Sequence, residues 1–168
     1  MDQPLAIILM GVSGSGKTAV GVGLAGVLQC QFLDGDNFHP PANVEKMRHG
    51  IPLTDEDRVP WLENLHRELA TRLGRGETVV LACSALKESY RSILGDALPQ
   101  VRFVFLKVDK ETLMKRLQSR HGHFFPSSLL DSQLATLEIP KGAFVVEENR
   151  PLDEVVQTIA NVATSGRL

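Results

Sequence analysis

The chain predicts an α/β layered fold built on a parallel sheet. Three observations carry that expectation. Short apolar runs alternate with longer stretches of helical periodicity. Those runs are nearly continuous in apolar character, as expected when helices cover both faces of the sheet. The first run leads directly into GVSGSGKT, Gly11–Thr18, a glycine-rich loop that needs a strand before it and a helix after it. Strand–helix alternation with right-handed crossovers then gives a layered α/β architecture.

Each element follows from its residues. Leu5–Met10, Gln31–Asp34, Thr78–Cys83, Val101–Lys107 and Ala143–Glu147 read as strands. Lys17–Gln29 reads as a helix with Val20, Leu24, Val27 and Leu28 on one face. Gly21, Gly23 and Gly26 weaken it, by roughly 1 kcal/mol each relative to alanine, so close packing is expected to compensate. Pro60–Arg75 starts with proline in its first turn, where the missing N–H does little harm. Trp61, Leu65, Leu69 and Leu73 run down one seam of that helix, and Trp61 reads as core. Lys87–Leu94, Lys110–Arg120, Ser128–Glu138 and Leu152–Ala163 complete the helices.

Composition narrows the class. At 168 residues the chain reads as one domain, 43% hydrophobic and 23% charged, as for an ordinary folded protein. A net charge of −2 and a sequence pI near 6.2 give no support for nucleic-acid or anionic-membrane binding. The N-terminal apolar run is too short to span a bilayer and lacks the basic flank of a signal peptide, so a cytoplasmic location is expected. Cys30 and Cys83 have no metal-ligand spacing; Cys83 ends an apolar run and reads as a buried free thiol.

The chemistry begins at the glycine-rich loop. Gly11, Val12, Ser13, Gly14, Ser15, Gly16, Lys17 and Thr18 match G-x-x-x-x-G-K-[ST], a nucleotide-phosphate motif, here expected to hold ATP. Glycines let backbone N–H groups curl round a phosphate, and the helix N-terminus adds partial positive charge. Lys17 is expected to reach the β- and γ-phosphates, and the Thr18 hydroxyl to ligate Mg²⁺. The motif does not by itself separate a kinase from a GTPase, a motor or a binder. The short chain and the lack of an NKxD-type guanine signature favour a small kinase.

The second cluster is DGDNFHPPANVEKM, Asp34–Met47, a polar loop directly after the second strand. Ligands of such sheets bind beyond the carboxyl ends of the strands. Phosphoryl transfer to a hydroxyl needs a carboxylate that orients it and takes its proton. Asp36 is expected in that role, with Asp34 turned toward the metal's water shell; the bland reading is that both only cap the loop. Where many phosphate-loop enzymes end the third strand with a metal-holding aspartate, this chain has Ala82-Cys83-Ser84. Metal support is then expected from Thr18, the ATP phosphates and Asp34.

The run DGDNFHPPANVEKMRHGIPLTDEDRVPWL, Asp34–Leu62, resembles the gluconokinases, small phosphate-loop kinases that phosphorylate D-gluconate on its 6-hydroxyl. The Asp-Gly-Asp, His-Pro, Asn, Lys-Met, Gly-x-Pro-Leu, Asp-x-Asp-Arg and Pro-Trp-Leu of that family are all present. ACSALKESYR, Ala82–Arg91, and RLQSRHGHFFPSSLLDSQLATLE, Arg116–Glu138, match its later blocks, so the resemblance covers nearly the whole chain. It implies a nucleoside-monophosphate-kinase-like three-layer α/β/α fold, with five parallel strands in the order 2-3-1-4-5 and a small helical lid at about residues 120–137. It also implies a homodimer. His39 and Lys46 would line or shape the acceptor pocket. Arg58 and Arg91 would pair with the acid's carboxylate or the transferring phosphate, and Ser84 and Lys87 would lie beside the phosphate loop. Each has a bland alternative: a turn for His39, a loop brace for Arg58, a solvated first turn for Lys87.

Arg116 and Arg120 lie four apart and share a helix face. In related kinases the first stacks on adenine and the second reaches the phosphates as charge develops. The bland reading of both arginines is a basic exposed helix. HGHFFPSS reads as a loop, and His123 either meets substrate when the lid closes or is a plain surface histidine. Only IPKG separates Glu138 from the last strand, where members of the family often carry a longer acidic insertion. That departure bears on adenine-side contacts near Glu148–Pro151. Two other readings compete: a shikimate-kinase-like enzyme, against which stands CSAL in place of a Gly-Gly run, and a nucleotide-binding regulator, which needs neither paired acids nor lid arginines.

Overall fold

A computed structural model describes residues 3–121 and 127–168. The chain runs β1 (Ala6–Met10), α1 (Lys17–Leu28), β2 (Gln31–Asp34), a 3₁₀ turn (Gly35–Phe38), α2 (Pro41–Arg48) and α3 (Asp55–Gly74). It continues with β3 (Val79–Ala82), α4 (Glu88–Gly95), β4 (Val101–Lys107), α5 (Lys110–His121), α6 (Ser127–Thr136), β5 (Phe144–Glu147) and α7 (Leu152–Thr164). The five strands are all parallel and stand in the order β2-β3-β1-β4-β5. This is the three-layer fold and the strand order that the resemblance implied.

The period-2 geometry of β1 explains the two cores. Ile8 and Met10 face one side and pack with Leu81 and Phe105 beneath α3 and α4. Ile7 and Leu9 face the other side and pack with Val80, Val104 and Leu106 beneath α1 and α7. All five β1 residues are fully buried, which is why the strand reads as one continuous apolar run. The α3 seam of Trp61, Leu65, Leu69 and Leu73 is buried as expected. Each such side chain contributes on the order of 1.5–3 kcal/mol by leaving water.

Three expectations need correction. The polar loop after β2 is not irregular: it holds the 3₁₀ turn and the eight-residue α2. Only Asn43 of α2 is buried, so the sequence carries no apolar stripe to betray that helix. The third helix begins at Asp55 rather than Pro60, nucleated by a capping box. The Thr54 hydroxyl accepts from the Asp57 N–H at 3.1 Å, and the Asp57 carboxylate accepts from the Thr54 N–H at 3.0 Å. Pro60 therefore sits inside the helix, on its exposed side, where the Glu56 carbonyl that loses a partner can meet water. On α1 the buried positions are Val20, Gly21, Leu24 and Ala25, while Val27 stays half exposed. No helix among the described residues is long and apolar enough to cross a membrane.

β1 lies between β3 and β4, so the connections leaving β1 and β3 diverge to opposite sides of the sheet. A crevice opens at that switch point, beyond the strand ends.

Candidate active site

The phosphate loop fills the crevice above β1. Gly11, Gly14 and Gly16 take φ values of 149°, 83° and 91°, which side-chain-bearing residues rarely adopt. Space is equally restrictive at Gly16, where an added Cβ would lie 3.2 Å from the Glu148 carboxylate. The Lys17 ammonium donates to the Gly11 and Val12 carbonyls at 2.9 and 3.0 Å. Burial pulls its pKa below the ordinary lysine value, and Asp36 and Asp34 nearby partly oppose that shift.

A cleft of about 340 Å³ opens in front of this loop. Lys17, Thr18, Asp34, Asp36, Ser84 and Arg120 all line it. Two expected anionic and two expected cationic groups thus converge from three separate segments. The Thr18 hydroxyl and the Asp34 carboxylate share the cleft wall, a donor set of hard oxygens that suits Mg²⁺. On the far side of the loop a groove of about 680 Å³ shares Gly14, Gly16, Leu117 and Arg120 with the cleft, and adds Arg116, Glu148 and Leu152. Cleft and groove thus meet along the same stretch of the phosphate loop.

The position of Asp36 is set by its neighbours. Asp34 accepts from the Asp36 N–H at 3.0 Å and so caps the 3₁₀ turn while lining the cleft. Gly35 presses on β3: a Cβ there would lie 2.7 Å from the Ala82 carbonyl. The indole N–H of Trp61 donates to the Gly35 carbonyl at 2.8 Å, and the Asn64 amide donates to that of Phe38 at 3.3 Å. Trp61 is core, as expected, and also holds the turn that presents Asp36. His39 stacks on Trp61 with ring centroids 4.3 Å apart and planes 16° apart. The Asn43 amide donates to His39 Nδ1 at 3.3 Å and to the Asp57 carbonyl at 2.8 Å.

Other expected site residues are committed to protein partners. Lys46 pairs with both Asp57 oxygens at 2.8 and 3.0 Å and holds that carboxyl down to about 2. Lys87 pairs with Asp55 at 2.8 and 3.0 Å, and the Tyr90 hydroxyl donates to the same carboxylate at 2.5 Å. Arg58 donates to the Leu53 carbonyl at 2.7 Å and lies 5.8 Å from the Tyr90 ring centroid. Arg91 is buried under α4, where it donates to the Ala85 and Glu138 carbonyls at 2.7 and 2.9 Å and pairs with Glu88 at 2.9 Å. Of these four, none lines the cleft. Arg116 pairs with the buried Glu148 carboxylate and donates to the Gly14 carbonyl at 3.2 Å. His123 lies outside the described residues.

Residues absent from the sequence-based set also matter. Glu148 anchors Arg116 beneath the loop, and Gln133 of α6 bonds to Ser13. Glu148 sits in no local motif, and Gln133 lies inside the Arg116–Glu138 block, where only its tertiary contact with Ser13 singles it out. Cys83 is a buried free thiol, pushed up to about 12 by burial. A second groove of about 680 Å³ lies between α4 and the starts of β4 and β5. Its arginines, Arg91 and Arg102, are committed to backbone carbonyls, so the chemistry collects at the smaller cleft.

The chain matches known proteins over most of its length. Residues 7–140 match a family described as "AAA domain". A gluconokinase of Gluconobacter oxydans (strain 621H) is 55% identical over 139 residues, covering 82% of this chain and 78% of that one. The crystal structure of a gluconokinase from Sinorhizobium meliloti 1021 is 44% identical, covers 98% of both chains and superposes with a TM-score of 0.83. A shikimate kinase from Acinetobacter baumannii is 21% identical over 99% of this chain and 96% of that one, with a TM-score of 0.61, a likeness of fold alone.

Proposed function

Because this chain belongs to the gluconokinase family, we propose that it transfers the terminal phosphoryl group of ATP to the 6-hydroxyl of D-gluconate, giving 6-phospho-D-gluconate and ADP. The observation that carries the reading is the convergence of Lys17, Thr18, Asp34, Asp36 and Arg120 on one cleft.

The roles follow from place and charge. The glycine loop from Gly11 to Thr18 cradles the phosphates with its N–H groups, and Lys17 pairs with their β- and γ-oxygens. Asp36, on the acceptor side, orients the 6-hydroxyl and takes its proton as the new P–O bond forms and the bond to ADP breaks. Arg120 neutralises charge building on the transferring group. Arg116, fixed by Glu148 in the neighbouring groove, presents its guanidinium plane to adenine. Thr18 directly, and Asp34 through a water, would hold Mg²⁺, which when bound neutralises the phosphate oxygens. Ser84 and His39 shape the acceptor wall.

Arg58 and Lys87, gathered round Tyr90, would form the positive rim toward which the gluconate carboxylate turns. Lys46 contributes by holding Asp57 and hence the docking of α2 on α3. Arg91 serves as the brace of α4, and His123 remains a candidate contact from the lid. The family resemblance supports a cytoplasmic homodimer as the working form.

The test is ADP release from Mg·ATP with D-gluconate, shikimate, glucose or no acceptor. ADP is expected with gluconate alone. Asp36→Asn is expected to lower kcat by about 10²–10⁴-fold with the KM for ATP nearly unchanged. ADP with none of the three acceptors would sink the substrate assignment, and an active Asp36→Asn would sink the role of Asp36.

A further inference from the structure

The Gln133 carboxamide grips the phosphate loop from outside the motif. Its Oε1 accepts from the Ser13 N–H at 2.7 Å, and its Nε2 donates to Ser13 Oγ at 2.9 Å. An N–H can only donate, so the orientation of the amide is fixed by its partners. The grip is well founded in the fold. Leu130 and Leu134 of α6 pack with Val12, Leu113 and Leu117, which seats Gln133 against the loop. Five residues beyond Gln133, just past the end of α6, Glu138 ties the same strap to α4: its carboxylate accepts from the Glu88 N–H and its carbonyl from Arg91, at 2.8 and 2.9 Å.

The Ser13 N–H belongs to the same rigid peptide plane as the Val12 carbonyl. That carbonyl accepts from the Lys17 ammonium at 3.0 Å and from the Ser15 N–H at 3.2 Å. Holding one end of a planar trans peptide fixes the direction of the other. Were the plane to rotate, the carbonyl would leave Lys17 and could turn toward the phosphate oxygens, which it would repel. The Ser13 hydroxyl, accepting from Gln133, keeps its own hydrogen for an acceptor in the cleft it lines.

We infer that Gln133 is a positioning residue for ATP binding, acting through the Val12–Ser13 peptide plane on Lys17. The inference rests on the reading of this loop as the ATP-phosphate site.

The test is a double-mutant cycle between Gln133→Met and Lys17→Met, read as Mg·ATP affinity by equilibrium titration. Gln133→Asn, which withdraws the amide by one methylene, serves as a second variant with the same expectation. With Lys17 present, each Gln133 variant is expected to weaken ATP binding about tenfold. In the Lys17→Met background the loss is expected to shrink below about twofold, because the path through Lys17 is gone. The KM for D-gluconate is expected to stay within about twofold, and the melting temperature to hold, which a general loosening of α6 would not allow. Unchanged ATP affinity in both Gln133 variants, or equal losses in both backgrounds, would overturn the inference while leaving the kinase reading intact. Failure of the unaltered chain to bind ATP would overturn both.

Discussion

His39 shows how a side chain's chemistry is set by what surrounds it. Its Nδ1 accepts from Asn43, so the neutral ring carries its proton on Nε2. Stacking on Trp61 takes one face of the ring from water. Burial is the main cause that lowers its pKa from 6.5; Arg58 lowers it further, and Asp36 opposes them. The unfolded chain therefore binds this proton more tightly than the folded one. The stabilisation from His39 is complete above 6.5 and declines as pH falls through the lower folded value. We expect an NMR titration of His39 to give a midpoint below 6.5, and Trp61→Leu to move it upward. A midpoint at or above the ordinary value would contradict the enclosed, neutral ring. The His-Pro was legible in the sequence as a site feature; the stack was not, because His39 precedes α2 while Trp61 lies on α3.

At the level of elements, α1 separates two kinds of glycine that look identical in sequence. At Gly21 an added Cβ would lie 2.4 Å from the Phe32 ring and 3.4 Å from Leu9, so helix and sheet approach there as only glycine permits. At Gly26 nothing lies within 4 Å. Gly26→Ala is expected to stabilise the fold by about 0.5–1 kcal/mol through the helix backbone alone. Gly21→Ala is expected to destabilise it by roughly 1–3 kcal/mol, from forced repacking of Phe32. Denaturant midpoints for the two variants should therefore move in opposite directions, and movement in the same direction would refute the packing argument. Elements with an apolar stripe were readable: the α3 seam is buried residue for residue. Element α2 was not, since a helix with one buried residue has no hydrophobic period to detect. The start of α3 was displaced because its signal is the reciprocal Thr54–Asp57 cap rather than Pro60.

Across the whole molecule, the strand order decides which residues meet. β1 stands between β3 and β4, so Lys17 after β1, Asp34 at the end of β2 with Asp36 beyond it, and Ser84 after β3 reach one cleft. The same tertiary arrangement draws other charged groups away from it. Arg91 looks in sequence like a phosphate or carboxylate binder, yet folding commits its guanidinium to Ala85, Glu138 and Glu88. Arg91→Met would leave two carbonyls of the α4–strap junction without that donor. We expect it to lower global stability by about 1–3 kcal/mol per carbonyl left unpaired, with the gluconate KM within about twofold. A large rise in KM at unchanged stability would return Arg91 to the acceptor site. By itself the sequence determined the covered sheet, the phosphate loop and the Asp34–Asp36 pair, because each depends on backbone and side chains close together along the chain. Tertiary structure alone decided which of the many polar groups stay available to a ligand. An arginine or lysine has the same donors wherever it sits, and whether they face a cleft or a neighbouring carbonyl depends on chain segments that meet only after folding.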